Sequence, residues 1–284
     1  MRTVYVNGDY LPENEATVSI FDRGFLFADG IYEVTTVVDG KLIGFDGHIK
    51  RLQRSADELK MNIKVDEPEM LEIHRELVKR NNLDQGMIYL QYTRGNPGDR
   101  DFAFPPEDTK PTLVMFTQEK KVVGTAVEEN GLKVVTLEDL RWGRRDIKTV
   151  QLLYPSLAKM EAKARGADDA WMVQDGFVTE GTSNNAYIVK DGTIITRHLS
   201  NDILHGITRK SILACAQLLQ MKVEERPFTV DEAYAADEAF ATSASGFANP
   251  IVEIDGKKVG SGKPGEVSAK LRELYIEENM KAAV

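Results

Sequence analysis

Short runs rich in Val, Ile, Thr and Tyr recur along the chain, and several pairs of them are joined by Asn-Gly or Asp-Gly. These dipeptides tolerate the positive φ angles of the type I′ turn, which is typical of tight β-hairpins. The pattern therefore predicts many antiparallel strand pairs rather than one parallel, doubly wound sheet. The predicted hairpin turns are Asn7-Gly8, Asp39-Gly40, Asp175-Gly176, Asp191-Gly192 and Asp255-Gly256.

Between these runs, apolar residues recur at the three- and four-residue spacing of amphipathic helices. In one case Ile49, Leu52, Ala56 and Leu59 form a single stripe. A further helix opens at Pro155, because proline suits the first turn of a helix. Helices and hairpins together predict an α+β protein with mixed, largely antiparallel sheets. The predicted helices cover residues 48–60, 67–82, 155–166, 208–221 and 266–281.

A length of 284 residues indicates two domains, at roughly 150 residues each. The polar stretch QEKKVVGTAVEEN, which ends at Asn130, carries no clear periodicity and is the best candidate for a linker. We expect a smaller N-terminal α/β domain at 1–118, a linker at 119–130 and a larger C-terminal domain at 131–284.

Charge and composition exclude several classes of protein. Acidic residues outnumber basic ones by 45 to 36, a net charge of −9, which argues against binding to nucleic acid or to an anionic membrane. No apolar run is long enough to span a bilayer, and the N-terminus lacks the apolar core of a signal peptide. One cysteine, Cys215, fits a reducing compartment, and four scattered histidines predict no metal site. We expect a soluble, cytoplasmic protein.

Two charged residues carry candidate chemistry. Lys148 lies in the apolar run IKTVQLL, directly after an arginine-rich cluster. It is either a solvated strand residue or a buried amine activated by desolvation and neighbouring cations, as a Schiff-base lysine must be. Glu180, in VTEGTSN, is either an acid at a hairpin end or a buried carboxylate that bonds a protonated ring nitrogen.

Three further segments suit the binding of a phosphate group. Thr208 lies in GITR at the start of a helix, where it belongs either to an ordinary helix cap or to an anion site made by free N–H groups. The run ATSASG at 241–246 offers small hydroxyl residues, and Arg51 offers a fixed positive charge. An amine, a ring-nitrogen partner and a phosphate cradle are the parts that pyridoxal phosphate needs.

These segments resemble the fold-type IV pyridoxal-phosphate enzymes, most of all the bacterial D-amino-acid transaminases, to which branched-chain and (R)-selective amine transaminases are related. The resemblance covers nearly the whole chain and implies the two-domain fold of that group. The motifs that carry it are FDRGFLFADGIYEV, HIKRL, YLQYTRG, LEDLRWGRRDIKTVQLL, VTEGTSN, LHGITR and DEAFATSASGFANPIVEIDGK.

The resemblance also implies a role for each matching position. Lys148 would form the Schiff base with the cofactor and move the proton between the substrate Cα and the cofactor's C4′. Glu180 would bond the pyridine nitrogen, and Tyr32 would line the substrate pocket beside the lysine. The residues implied in phosphate binding are Arg51, Ile207, Thr208 and either Ser243 or the backbone at Ala244.

The reaction implied by the resemblance is a ping-pong exchange of amino groups between D-amino acids and 2-oxo acids such as pyruvate and 2-oxoglutarate. It implies a homodimer with the active site at the subunit interface. Two alternatives share the fold, a branched-chain L-amino-acid aminotransferase and an aminodeoxychorismate lyase, and a third is a protein that binds the cofactor without catalysis.

The chain departs from the pattern of the D-amino-acid transaminases in one loop. There the family carries an arginine and, two residues on, a histidine, which together bind the substrate carboxylate. This chain has Arg100 and then Phe102, in a loop one residue longer. Phenylalanine offers no donor, so either carboxylate selectivity weakens and (R)-primary amines are accepted, or another group replaces the histidine and specificity is unchanged.

Overall fold

The structure, a computed structural model, describes residues 1–284 and divides into two units. Unit 1 comprises Met1–Val122, Ile147–Gln151 and Ala282–Val284, and unit 2 comprises Val123–Asp146 and Leu152–Lys281. Both units are discontinuous in sequence, whereas the predicted domains are single stretches. The short segment that carries Lys148 thereby belongs to unit 1.

Unit 1 is built on a six-stranded antiparallel sheet with the strand order β2-β1-β6-β5-β3-β4. Its strands are β1 (Thr3–Val6), β2 (Asp9–Pro12), β3 (Gly30–Val38), β4 (Lys41–Ile43), β5 (Gly86–Thr93) and β6 (Thr112–Glu119). Its helices are α1 (Arg23–Phe27), α2 (Phe45–Glu58) and α3 (Glu67–Arg80).

The core of unit 1 lies between the sheet and the two longer helices. Leu52 of α2 and Leu77 of α3 are fully buried there, together with Ile88 of β5. Side chains alternate between the two faces of a strand, and Tyr89, next to Ile88, is only half-buried. The sheet thus has a core face and a second face that carries the half-buried side chains.

Unit 2 contains a nine-stranded mixed sheet in the order β12-β11-β10-β13-β14-β7-β8-β9, with β15 paired to β14. Its strands are β7 (Leu132–Glu138), β8 (Asp169–Gln174), β9 (Phe177–Gly181), β10 (Asn185–Lys190), β11 (Thr193–Thr196), β12 (Lys222–Glu225), β13 (Glu238–Ser243), β14 (Phe247–Ile254) and β15 (Lys257–Lys258). Its helices are α4 (Ala126–Asn130), α5 (Leu153–Ala164), α6 (Ile207–Leu218), α7 (Val230–Tyr234) and α8 (Glu266–Lys281).

Aromatic side chains fill the interior of unit 2. The rings of Trp171 and Phe228 pack edge to face with centroids 6.0 Å apart, and those of Tyr187 and Phe240 stack at 4.5 Å. All four residues are fully buried. Helices α6 and α8 pack against β13, and α8 also packs against β14.

The predicted mixture of hairpins and helices is confirmed. All five predicted turns join antiparallel strands, and both residues of each turn have positive φ, for example 50° at Asp39 and 70° at Gly40. Helix α5 begins at Leu153, two residues before Pro155, because proline is tolerated throughout the first helical turn. The segment predicted as a linker contains α4, which begins with a capping box between Thr125 and Glu128. Three strand pairs in unit 2 are parallel, which the hairpin pattern did not predict.

Gly95 lies two residues after β5, at the start of the loop that carries Arg100, and we expect it to tolerate no side chain. Its φ is +91°, and an added Cβ would lie 1.9 Å from the Lys110 carbonyl oxygen. Gly98 in the same loop has φ +97° with open space around it, so it is the matched control. Gly98→Ala should lower the free energy of unfolding by about 1 kcal/mol, the strain of positive φ alone, and Gly95→Ala by clearly more. Denaturant unfolding measures both, and equal losses would contradict the argument.

Candidate active site

Lys148 lies beside strand β3 in unit 1. The backbone N–H of Tyr32 donates to the Lys148 carbonyl at 3.0 Å, and the N–H of Val150 donates to the Gly30 carbonyl at 3.0 Å. The Lys148 Nζ is 4.0 Å from the centroid of the Tyr32 ring. Since the lysine is half-buried, the amine is held against an aromatic face while it stays accessible.

An aromatic row continues from Tyr32 across the same face of the sheet. The Tyr32 ring stacks on Tyr89 at 5.6 Å, and Tyr89 stacks on Phe116 at 4.9 Å. Burial raises the pKa of Tyr89, whose hydroxyl donates to the Gln91 Oε1 at 2.8 Å. These neutral rings form an apolar wall next to the lysine.

The next residue of β3, Glu33, points to the core face and meets two side chains of α2. Arg51 donates from Nε and Nη2 to the two Glu33 oxygens, each at 2.7 Å, and the Nδ1 of His48 is 2.7 Å from the Glu33 Oε2. Burial opposes the charge on Glu33, but Arg51 and His48 outweigh it and hold the pKa of Glu33 at about 2. Burial, assisted by the charges of Arg51 and Lys148, lowers the pKa of His48 despite Glu33.

Sequence reasoning had singled out Arg51 but neither Glu33 nor His48. The signal was present, because His48 and Arg51 are three residues apart and therefore share one face of α2. The bidentate pair fixes the orientation of Arg51, and it occupies two of the N–H groups that the sequence assigned to phosphate binding.

In unit 2, Glu180 is a buried carboxylate that accepts hydrogen bonds from three groups. The Nη1 of Arg141 lies 2.6 Å from its Oε1, the Nδ2 of Asn185 lies 2.9 Å from its Oε2, and the N–H of Leu204 lies 3.1–3.2 Å from both. Burial raises the pKa of Glu180, and Arg141 offsets part of that effect. Each oxygen of the carboxylate thus has two donors within hydrogen-bond distance, which hold Glu180 in one orientation.

A second carboxylate holds Arg141 in place. Asp139 accepts from the Arg141 Nε at 2.9 Å and Nη2 at 2.7 Å, and the Thr179 hydroxyl donates to Asp139 at 2.7 Å. Activation of Lys148 by the neighbouring arginine-rich cluster is one of the two alternatives that the sequence leaves open. Arg141, the first arginine of that cluster, forms ion pairs with Asp139 and Glu180.

The start of helix α6 lies close to Glu180 along the same network. Gly206 is its N-cap and provides no capping side chain, and Thr208 in the first turn is buried. Asn185, which donates to Glu180, packs so closely on Gly206 that a Cβ there would lie 2.2 Å from its Oδ1. The uncapped helix start is therefore held next to the buried carboxylate, and its N–H groups suit an anion.

The turn between β13 and β14 carries Ser243 and Ala244, both half-buried. The Ser243 Oγ accepts from the Gly246 N–H at 3.1 Å, and the Nη1 of Arg272 donates to the Gly246 carbonyl at 2.5 Å. Helix α6 packs against β13, the strand that ends at Ser243.

Arg100 and Phe102 lie in the loop between β5 and β6 of unit 1. Both side chains are exposed, Phe102 by 76%, and no carboxylate of the chain pairs with Arg100.

Cys215 is buried in α6, where desolvation raises the pKa of its thiol. No group of three or more metal-ligating side chains is present, and no helix has the length and apolar character needed to cross a bilayer.

Comparison with known proteins places these observations in a family. Residues 30–254 match the family model of amino-transferase class IV. The chain is 41% identical to a D-alanine aminotransferase of Staphylococcus haemolyticus over 98% of its own length and 99% of that protein. It is 37% identical to a D-alanine aminotransferase of Bacillus licheniformis, over 95% and 94% of the two chains.

Solved structures share the fold. The T.th. branched-chain amino acid aminotransferase, complexed with N-(5′-phosphopyridoxyl)-L-glutamate, superposes with a TM-score of 0.87 at 28% identity, covering 97% of this chain and 93% of that one. The branched-chain aminotransferase of Escherichia coli gives 0.89 at 22% identity, over 98% and 94%, which establishes similarity of fold alone.

We expect Glu33→Gln to remove a buried counter-ion. Because it leaves Arg51 buried without its carboxylate, the free energy of unfolding at pH 7 should fall by about 3–5 kcal/mol. The pKa of Glu33 in the folded state, about 2, is below its ordinary value of 4.5. Its stabilisation is thus complete above pH 4.5 and is lost as the pH falls towards 2, and the variant should lack this pH dependence.

Denaturant unfolding between pH 7 and pH 2 measures both effects. Glu76→Gln is the control, since Glu76 pairs with Arg80 on the surface of α3 and should contribute little. A Glu33→Gln variant as stable as the unmodified protein at pH 7 would show that the pair carries no net stabilisation.

Proposed function

The chain belongs to the aminotransferase class IV family, and on that premise we propose that it is a pyridoxal-phosphate-dependent transaminase. It exchanges amino groups between D-amino acids and 2-oxo acids such as pyruvate and 2-oxoglutarate. The observation that carries this proposal is the full-length similarity to D-alanine aminotransferases at 37–41% identity.

The residues of unit 2 fit the cofactor. When bound, pyridoxal phosphate supplies an aldehyde that condenses with amines and a ring that draws electrons from the substrate α carbon. Glu180 would accept the ring N–H and keep that nitrogen protonated. Ile207 and Thr208 would donate backbone N–H groups to the phosphate. Ser243 or the backbone at Ala244 provides a further donor.

The residues of unit 1 would bind the cofactor and the substrate, and one of them would move protons. Lys148 would hold the cofactor through its amine and would move the proton to or from the substrate α carbon. The ring of Tyr32 holds the lysine amine and lines the substrate pocket. Arg51, held in one orientation by Glu33, would contribute to the binding of the phosphate.

Arg100 binds the substrate carboxylate through its unpaired guanidinium, since a guanidinium can donate two parallel hydrogen bonds to a carboxylate. Phe102 beside it adds apolar surface. This surface favours hydrophobic substituents and supports a second, slower activity towards (R)-primary amines that lack a carboxylate.

The visible absorption spectrum of the purified protein tests the proposal. We expect a yellow cofactor band that D-alanine bleaches, that L-leucine leaves unchanged and that (R)-1-phenylethylamine bleaches slowly. Lys148→Ala should lack the band of the covalently bound cofactor. Lys163→Ala, at an exposed position of α5, should keep it as the matched control.

Each other outcome has a defined meaning. Bleaching by L-leucine alone would move the protein to the branched-chain aminotransferases, whose structures it resembles. Bleaching by D-alanine with no response to the amine would remove the second activity. No band after incubation with pyridoxal phosphate would contradict the roles of Lys148 and Glu180.

We also propose that the protein is a cytoplasmic homodimer. Support for the dimer comes from apolar side chains that unit 1 exposes, Ile20 by 66% and Phe104 by 61%, since such groups are typical of interfaces. A single buried cysteine is compatible with a reducing compartment. Light scattering should give twice the 31.7 kDa mass of one chain, and a monomer mass at assay concentrations would contradict the dimer.

A further inference from the structure

Two buried arginines, Arg23 and Arg94, hold the loop that carries Arg100. Both donate from Nε to one oxygen of Asp29, at 2.7 Å and 2.8 Å, so a single carboxylate fixes both guanidinium groups. The remaining donors of Arg94 reach the carbonyl oxygens of Lys60 and Leu59, at 3.0 Å and 2.9 Å. Arg23, Arg94 and Asp29 together thereby anchor the loop to the rest of unit 1.

Arg23 fixes the backbone on both sides of Phe102. Its Nη1 donates to the carbonyl of Asp101 at 2.7 Å and to the carbonyl of Ala103 at 3.1 Å. A charged donor shared by two carbonyls restricts the Asp101–Phe102 and the Ala103–Phe104 peptide groups. A buried arginine therefore restrains the backbone on either side of Phe102.

The Phe102 ring packs edge to face on Phe27 of helix α1, with centroids 5.5 Å apart and an interplanar angle of 66°. The Cζ of Arg100 lies 4.9 Å from the Phe27 centroid and 4.8 Å from the Phe102 centroid. Both distances are within the range of cation–π attraction. The two rings thus contact the Arg100 guanidinium, and neither ring takes up the N–H donors of Arg100.

We propose that Phe27 and Phe102 form an aromatic clamp that positions the Arg100 guanidinium for the substrate carboxylate. The proposal rests on the proposed function and deepens it. The clamp restricts the long arginine side chain before substrate arrives, so less conformational entropy is lost on binding. Phe102 is then a positioning residue that preserves recognition of the carboxylate, and Phe27 is a second residue with the same role.

Four variants test the clamp in the holoenzyme. Phe27→Leu and Phe102→Leu keep apolar bulk but remove the ring, and each should raise the KM for D-alanine about two- to fivefold with kcat unchanged. The inhibition constant of propionate, a carboxylate without an amino group, should rise by the same factor. Phe27→Tyr keeps a ring and should restore both values. Phe25→Leu is the control, because Phe25 lies in the same helix and its exposed ring makes no aromatic or cation contact.

Light scattering and unfolding of each variant verify that fold and mass are retained. Unchanged KM and propionate inhibition in both Leu variants would overturn the clamp. If Phe25→Leu raised the KM for D-alanine by the same factor, the clamp would also be overturned. The same holds if the Leu variants lowered kcat instead of raising KM, because a general loosening of the loop and helix α1 would then explain the effect.

Arg100→Gln separates the clamp from the proposed function. It should raise the KM for D-alanine by about tenfold or more, since a hydrogen bond to a charged group is lost. If the unmodified enzyme converts D-alanine but Arg100→Gln has an unchanged KM, the proposed function stands and the clamp fails. If the unmodified enzyme does not convert D-alanine, the proposed function fails, and the clamp fails with it because no substrate carboxylate binds to Arg100.

Discussion

Burying a charge requires a partner of opposite charge, and this requirement organises the polar interior of both units. A lone ion inside a protein loses its hydration at a cost of several kcal/mol, so it persists only when another ion and further hydrogen bonds replace the water. Glu33 meets Arg51, Glu180 meets Arg141, and Asp29 meets two arginines. Each pair fixes side chains from different elements in one orientation, which is what a binding site needs.

Strand β3 illustrates how one short stretch of sequence serves two surfaces. Tyr32 and Glu33 are neighbours, and because side chains alternate across a strand they face opposite sides of the sheet. Tyr32 contacts the Lys148 amine, whereas Glu33 orients Arg51 from within the core. The segment that carries the lysine is hydrogen-bonded to the first residues of β3, so the two backbones from which the lysine and tyrosine side chains extend are held together.

The neighbours of Phe102 explain why its loop was ambiguous in the sequence. In the sequence, the phenylalanine two residues after Arg100 indicates only that the donor implied by the family resemblance is missing. The structure adds Phe27, which is distant in the chain, and Arg23, which holds the peptide groups around Phe102. With these neighbours the ring contacts the guanidinium of Arg100, a relation that no spacing rule predicts.

The sequence by itself determined the local features of this protein. Asp-Gly and Asn-Gly turns and apolar stripes predicted five hairpins and the five longer helices to within a few residues, because those preferences act between near neighbours. The short helices α1, α4 and α7 were not predicted. The motifs around Lys148, Glu180 and Thr208 singled out candidate residues for the same reason. Only the tertiary structure decided which charges meet. The pairing of Glu33 with Arg51 and His48, and of Arg141 with Asp139 and Glu180, depends on which elements pack together, and that is governed by burial of the whole core.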